Sequence, residues 1–330
     1  MRIVVTDHAF ENVLTERRIA DDVDAEFEVF DACTEDEAVS AVTGADVVLV
    51  NFAPMNERVL KAMNRGGVVI RYGIGYDNVD LDAADRLGVS VCNVPDYGGD
   101  TVADHAVTLA LMLLRKVTLF DRVVTAGDWV SATHFAPILS STSTTVGLLG
   151  TGRIGMAVAA RLAPFGFEVI AYDPFADTKR AEDAGVELVD LEQLFRRSNV
   201  LSLHAPATPD TKKIVDAQKI AKMPFGSYIV NTSRGSLLDQ NDVLAALNAG
   251  QLAGVGLDVF DPEPLPRDHG LRSHPHAILT PHAAFYSLQS LQALQRLAAE
   301  EAGRAARREP LRCCVNNSRT RTTSPGVSTS

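Results

Sequence analysis

The chain has 330 residues, with 31 Lys and Arg against 42 Asp and Glu, a net charge of −11. That length favours two domains over a single core, and the acidic balance excludes nucleic acid and anionic membrane as partners. No apolar run reaches the ~20 residues of a bilayer span, and Met1-Arg2 lead directly into the strand-like Ile3-Val4-Val5, so no leader and a cytoplasmic location are expected.

Along the chain, short β-rich runs alternate with helical patterns. The first third offers strands at Arg2–Thr6, Asp46–Asn51, Gly67–Arg71 and Val89–Asn93. The series breaks around Pro95–Thr101, after which Val102–Arg115 reads as one long helix and Thr118–Ala126 as a second, ending at Gly127-Asp128-Trp129. A new series follows at Thr145–Leu149, Glu168–Tyr172, Val186–Val189, Val200–His204, Ser227–Asn231, Gly254–Val259 and Ile278–Thr280. Strand, helix, strand repeated in this way specifies α/β architecture, with parallel sheets covered by helices on both faces. The last helix, about Ser287–Arg307, is not needed by the second sheet and is expected to return to the first domain. From Asn316 onward Ser, Thr, Arg, Gly and Pro dominate, which reads as a disordered tail. Cys33, Cys92, Cys313 and Cys314 form neither a disulfide framework nor a zinc-ligand spacing, so no metal is expected and the thiols read as buried or incidental.

The most specific pattern spans Val146 to Asp173. An apolar run is followed by Gly150-Thr151-Gly152-Arg153-Ile154-Gly155, an Ala-rich amphipathic segment, then Val169-Ile170-Ala171-Tyr172-Asp173. The first glycine permits the turn, the second lets backbone N–H groups approach a pyrophosphate, and the third lets helix pack on strand. The helix N-terminus faces the anion. Asp173 is spaced to accept from the adenosine ribose hydroxyls and to repel a 2′-phosphate, so the cofactor is expected to be NAD.

Three later segments end strand-like runs, where ligands gather in open parallel sheets. Asn231-Thr232-Ser233-Arg234-Gly235 offers a guanidinium fork suited to a carboxylate. Glu263 stands between Pro262 and Pro264. His282, in Thr280-Pro281-His282-Ala283-Ala284, is an acid/base flanked by small residues. Of the eight histidines, His105 and His204 are the next best placed, but neither has a supporting carboxylate pattern in the sequence.

Together with Arg71-Tyr72-Gly73-Ile74-Gly75-Tyr76-Asp77-Asn78-Val79-Asp80, these segments resemble the NAD-dependent D-2-hydroxyacid dehydrogenases over about residues 1–315. Val91–Tyr97, Ala103–Ala106 and Pro281–Ser287 most resemble the branch of the C-terminal-binding protein (CtBP-like) dehydrogenases. The resemblance implies two Rossmann-like or flavodoxin-like parallel-sheet domains with a cofactor cleft between them. Residues 1–98, completed by 286–315, would bind substrate; residues 99–285 would bind NAD and carry a dimerisation arm; 316–330 would be the tail.

By the same resemblance, His282 would exchange the 2-hydroxyl proton, Glu263 would orient its ring and stabilise the imidazolium, and Arg234 would bind the carboxylate and polarise the carbonyl. Ile74 and Gly75 would hold the carboxylate through backbone N–H groups, with Arg71 near and Phe285 at the pocket wall, where the animal C-terminal-binding proteins carry a Trp. Gly150, Gly152, Arg153, Ile154, Gly155 and Asp173, then Thr101, His204, Ala205, Thr232, Ser233, Arg234, Asp258 and His282, would line the cofactor, with Asp258 at the nicotinamide carboxamide. A homodimer around Val102–Trp129 and a small 2-hydroxy or 2-keto acid substrate are implied. Two alternatives stand beside this reading: a phosphorylated or phosphonate acid as substrate, which Asn51-Phe52-Ala53 disfavours because phosphoglycerate dehydrogenases usually carry an Arg there, and an NAD(H)-sensing dimeric scaffold.

Overall fold

The computed structural model describes residues 1–316. The chain divides into two compact units, one of Met1–Gly98 joined by the segment that begins at Ser287, the other of Gly99–Tyr286.

In the first unit β1 (Arg2–Val5), β2 (Glu26–Val29), β3 (Val47–Val50), β4 (Val68–Arg71) and β5 (Ser90–Cys92) form an all-parallel sheet in the order β2-β1-β3-β4-β5. This is the flavodoxin-like strand order. The central strands read Val-Val-Leu-Val and Val-Val-Ile because both faces are covered and every side chain there is buried. One covering element is the helix Leu288–Ala306, whose Leu294, Ala298, Ala302 and Ala305 pack on Ile3, Val5, Leu49 and Ile70. Under it, buried Glu16 accepts from the Tyr72 hydroxyl at 2.9 Å and from Gln295 Nε2 at 2.9 Å.

In the second unit β6 (Thr145–Leu149), β7 (Glu168–Tyr172), β8 (Glu187–Leu188), β9 (Val200–Leu203), β10 (Ser227–Asn231), β11 (Leu252–Leu257) and β12 (Ala277–Leu279) form a seven-stranded parallel sheet, ordered β12-β11-β10-β9-β6-β7-β8. Chain order reverses between β6 and β9, which is the switch point where doubly wound sheets open a crevice at their carboxyl ends. The helix Gly99–Leu114 contributes Ala103, Ala106, Leu109, Ala110 and Leu113 to the core on one face of this sheet.

Several boundaries differ from the sequence expectation. The strand β2 was not predicted: Glu26-Phe27-Glu28-Val29 has no apolar run, and it forms as an edge by pairing with β1. The segment expected at Gly254–Val259 forms a strand at Leu252–Leu257, because Asp258 leaves the ladder to bond a neighbouring loop. The long helix begins at Gly99 rather than Val102. The expected tail lies outside the described residues except for Asn316, which is not disordered: its side chain accepts from Val91 N–H and donates to Val89 O and Asp85. Among the described residues, no helix is long and apolar enough to cross a membrane and no group of three or more His, Cys, Asp and Glu could hold a metal ion.

Candidate active site

The glycine turn leaves β6 through Gly150, at φ +105°, where a Cβ would lie 2.9 Å from the His204 carbonyl and the Ala205 nitrogen. Gly155 is set by contact instead, since its Cβ would fall 2.2 Å from Gly150 O. Above Gly152 there is open space within 4 Å. Gly152 caps the helix Arg153–Leu162 without a side-chain hydrogen bond, so the first N–H groups of that helix have no capping side chain, the arrangement that receives phosphate. Asp173 follows β7 and ties the turn down: Oδ2 accepts from Thr151 N–H at 2.8 Å and Thr151 Oγ1 at 3.0 Å, and Oδ1 from Phe175 N–H at 2.8 Å. Ile154 lies beside Gly99, which brings the helix turn carrying Thr101 to the glycine turn.

Across the switch point, His204 follows β9. Its Nε2 bonds Ser202 Oγ at 2.9 Å, and burial of the ring pushes its pKa down to about 4, so it is neutral at physiological pH. His204 Nδ1 and the Thr232 hydroxyl are buried polar atoms with no hydrogen-bond partner among the described residues. Ser233 Oγ donates to Ala205 O at 2.7 Å, joining the loops after β9 and β10. Buried Asn231 shapes the second of these loops, accepting from Ser233 N–H at 3.0 Å and donating to Arg234 O at 2.8 Å. The sequence signal for this is an Asn opening a Ser- and Gly-containing turn. The uncapped helix, the glycine cradle and the two orphaned polar atoms fit a dinucleotide.

The acid/base candidates come together after β11 and β12. His282 Nδ1 lies 2.9 Å from Glu263 Oε2, while Glu263 Oε1 accepts from Phe260 N–H at 2.8 Å. Burial raises the Glu263 pKa, but the bonds to His282 and Phe260 and the nearby charges of His282 and Arg234 outweigh it and hold the carboxyl below its ordinary value. An ionised Glu263 accepts the proton of Nδ1 and leaves Nε2 as the free reacting position of the ring. Phe285 meets the His282 ring edge to face at 6.3 Å. Arg234 lies partly buried, with Nη1 donating to Ser233 O at 2.7 Å.

His282 itself has a left-handed backbone, φ +54°, and the loop holding it there hangs on Asp258. This wholly buried carboxylate accepts from the Thr280 hydroxyl and from the N–H groups of Ala283 and Ala284, both at 2.9 Å; the Asp258 carbonyl accepts from His282 N–H at 2.7 Å. The side chain expected at the carboxamide is therefore spent first on positioning His282. His105 also has the support it lacked in sequence, with Nε2 bonded to Thr280 Oγ1 at 3.0 Å and 3.8 Å from Asp258 Oδ1. No local pattern could have shown this, since Thr280 is 175 residues away.

In the first unit, Arg71 ends β4 and its guanidinium lies over Gly73, whose Cβ would come 1.8 Å from Nη1, and near the Phe52 ring at 5.9 Å. Asn93 Nδ2 donates to Ile74 O at 2.7 Å, fixing the loop that carries Ile74 and Gly75.

A glycine cradle at the switch point of a doubly wound sheet defines a dinucleotide-binding protein, and an imidazole–carboxylate pair stands on the same sheet's carboxyl ends. Residues 107–284 match the family described as D-isomer specific 2-hydroxyacid dehydrogenase, NAD binding domain. The chain is 36% identical over 249 residues to the glyoxylate reductase of Korarchaeum cryptofilum, covering 75% of each chain. It is 33% identical over 318 residues to the D-3-phosphoglycerate dehydrogenase of Methanocaldococcus jannaschii, covering 96% of this chain and 59% of that longer protein. The crystal structure of a glyoxylate reductase from Paecilomyes thermophila superposes with a TM-score of 0.87 at 25% identity, covering 96% of this chain and 98% of that one. The chain belongs to the NAD-dependent D-2-hydroxyacid dehydrogenases, a family of oxidoreductases.

Proposed function

We propose that this chain reduces a small, unphosphorylated 2-keto acid to the D-2-hydroxy acid, with His282, Glu263 and Arg234 as its working side chains. The observation that carries this is the 2.9 Å bond from His282 Nδ1 to Glu263, which fixes the tautomer and turns Nε2 to the reaction. Bound NADH supplies the hydride to C2. His282, protonated at Nε2, gives its proton to the developing alkoxide oxygen, and Glu263 stabilises the charged ring beforehand. Arg234 pairs with the substrate carboxylate by its planar fork and polarises the carbonyl. In the first unit, the N–H groups of Ile74 and Gly75, with Arg71 beside them, are of the kind that suits a carboxylate. Asp258, through Thr280, Ala283 and Ala284, keeps the His282 loop in place.

The small substrate is supported by Phe52, a 63% exposed apolar ring beside Arg71 at the position where a phosphate-binding cation would be needed. The segments Val91–Tyr97 and Pro281–Ser287 ally the chain with the C-terminal-binding protein branch. A homodimer is supported by the helix Val117–Thr125 and the residues that follow it, where Val124 and Trp129 are 51% and 87% exposed. The test is a screen of 2-keto acids, phosphorylated and not, against NADH oxidation. Turnover confined to 3-phosphohydroxypyruvate would overturn the substrate class, and no turnover of any 2-keto acid would favour the NAD(H)-sensing scaffold.

A further inference from the structure

The sequence left four thiols without a role, yet two of them meet in the first unit. The C-terminal segment runs antiparallel beside β5: Val315 N–H donates to Val91 O at 2.8 Å, Asn93 N–H to Cys313 O at 3.2 Å, and Cys92 stands opposite Cys314. Bonds that flank a residue pair in this way mark the non-hydrogen-bonded position of an antiparallel ladder, where Cα atoms are about 4.5 Å apart and side chains lie closest. That spacing falls within the ~4.4–6.8 Å a disulfide spans. Alternation puts both sulfurs on one face, and Val315 packs into the core on the other. Asn316 holds the register by bonding Val91, Val89 and Asp85.

The two thiols differ in their surroundings. Cys314 is exposed, with its sulfur 3.3 Å from Asn316 O. Cys92 is wholly buried and has Cys314 and the buried Glu301 as hydrogen-bonding neighbours, which with desolvation push its thiol well above the ordinary range. Glu301 is fixed in turn by Arg312 N–H at 2.8 Å.

We propose that Cys92 and Cys314 form a reversible disulfide on exposure to peroxide, locking the C-terminal segment onto β5. The Cys314 thiol gives up its proton and its sulfur attacks one peroxide oxygen, the O–O bond breaks, and the departing hydroxide takes that proton, leaving a sulfenic acid and water. Cys92 sulfur then attacks Cys314 sulfur, its proton passes to Glu301 and on to the departing hydroxyl, and the S–O bond breaks to release a second water. Two thiols are oxidised to one disulfide and one peroxide is reduced to two waters.

The experiment treats the full chain with hydrogen peroxide, blocks the remaining thiols and maps peptides without reduction. The expected result is a Cys92–Cys314 cross-linked peptide that dithiothreitol abolishes, absent in Cys314→Ser and retained in Cys313→Ser. Closing so long a loop should raise the unfolding midpoint of the oxidised wild type by several degrees and leave Cys314→Ser unmoved. Glu301→Gln should slow disulfide closure while sulfenic acid accumulates on Cys314, trapped by dimedone. A Cys92–Cys313 link, cross-linking between chains, or overoxidation of Cys314 with Cys92 still a free thiol would overturn the proposal. Cys314→Ser alters an exposed side chain, so the test survives even if Cys92→Ser does not fold.

Discussion

Glu263→Gln keeps the shape of the side chain but leaves one acceptor for two donors. In the native chain Oε1 takes Phe260 N–H at 2.8 Å and Oε2 takes His282 Nδ1–H at 2.9 Å. If the amide oxygen stays on Phe260, the NH2 group faces Nδ1 and the ring must move its proton to Nε2, the wrong tautomer for a base and a weaker start for an acid. If the oxygen turns to His282, two N–H groups meet at Phe260. Either arrangement loses one charge-assisted hydrogen bond, about 1.5–3 kcal/mol, equivalent to roughly 10- to 160-fold in rate. About a third of each side chain is exposed, 32% for His282 and 34% for Glu263, so solvent screening favours the lower part of that range. The loss should fall on kcat rather than KM, because Arg234 still holds the carboxylate. Steady-state NADH oxidation with the best 2-keto acid, followed over a range of substrate concentrations, separates the two constants. Unchanged kcat would refute the coupling.

Three further outcomes are expected. His282→Asn, chosen because Asn tolerates the left-handed backbone at φ +54°, should keep the fold and NADH binding while turnover falls about 10²–10⁴-fold; undiminished turnover would remove His282 from the chemistry. Asp173→Ala should narrow the preference for NADH over NADPH and also weaken both cofactors by freeing Thr151, and an unchanged ratio of kcat/KM values would show that Asp173 does not read the ribose. Burial raises the pKa of Glu16, against the hydrogen bonds from Tyr72 and Gln295 that lower it, so the folded chain binds that proton more tightly than the unfolded one. Its contribution to stability is therefore present below the ordinary carboxylate pKa and lost as pH rises through the raised value. Glu16→Gln should flatten urea midpoints across mildly acidic pH, and an unaltered pH dependence would contradict this.

The sequence by itself determined the parallel α/β architecture and the glycine cradle, because both are written in local spacing. Buried parallel strands require unbroken runs such as Val47–Val50, and each glycine answers a short-range contact: Gly155 lies five residues from the oxygen its Cβ would strike. His282, Glu263 and Arg234 were legible as candidates because each lies in a loop that follows a strand of the second sheet, where the crevice of such a fold must lie. Tertiary structure alone decided which partners these residues keep. Asp258 was legible as part of a strand but is spent on the loop twenty-odd residues ahead, His105 reaches Thr280 across 175 residues, and Cys92 finds Cys314 only because the last helix carries the chain back to β5. Such pairings depend on which strands lie side by side, and strand order is set by burial of whole helices and sheets, so no window of neighbouring residues contains it.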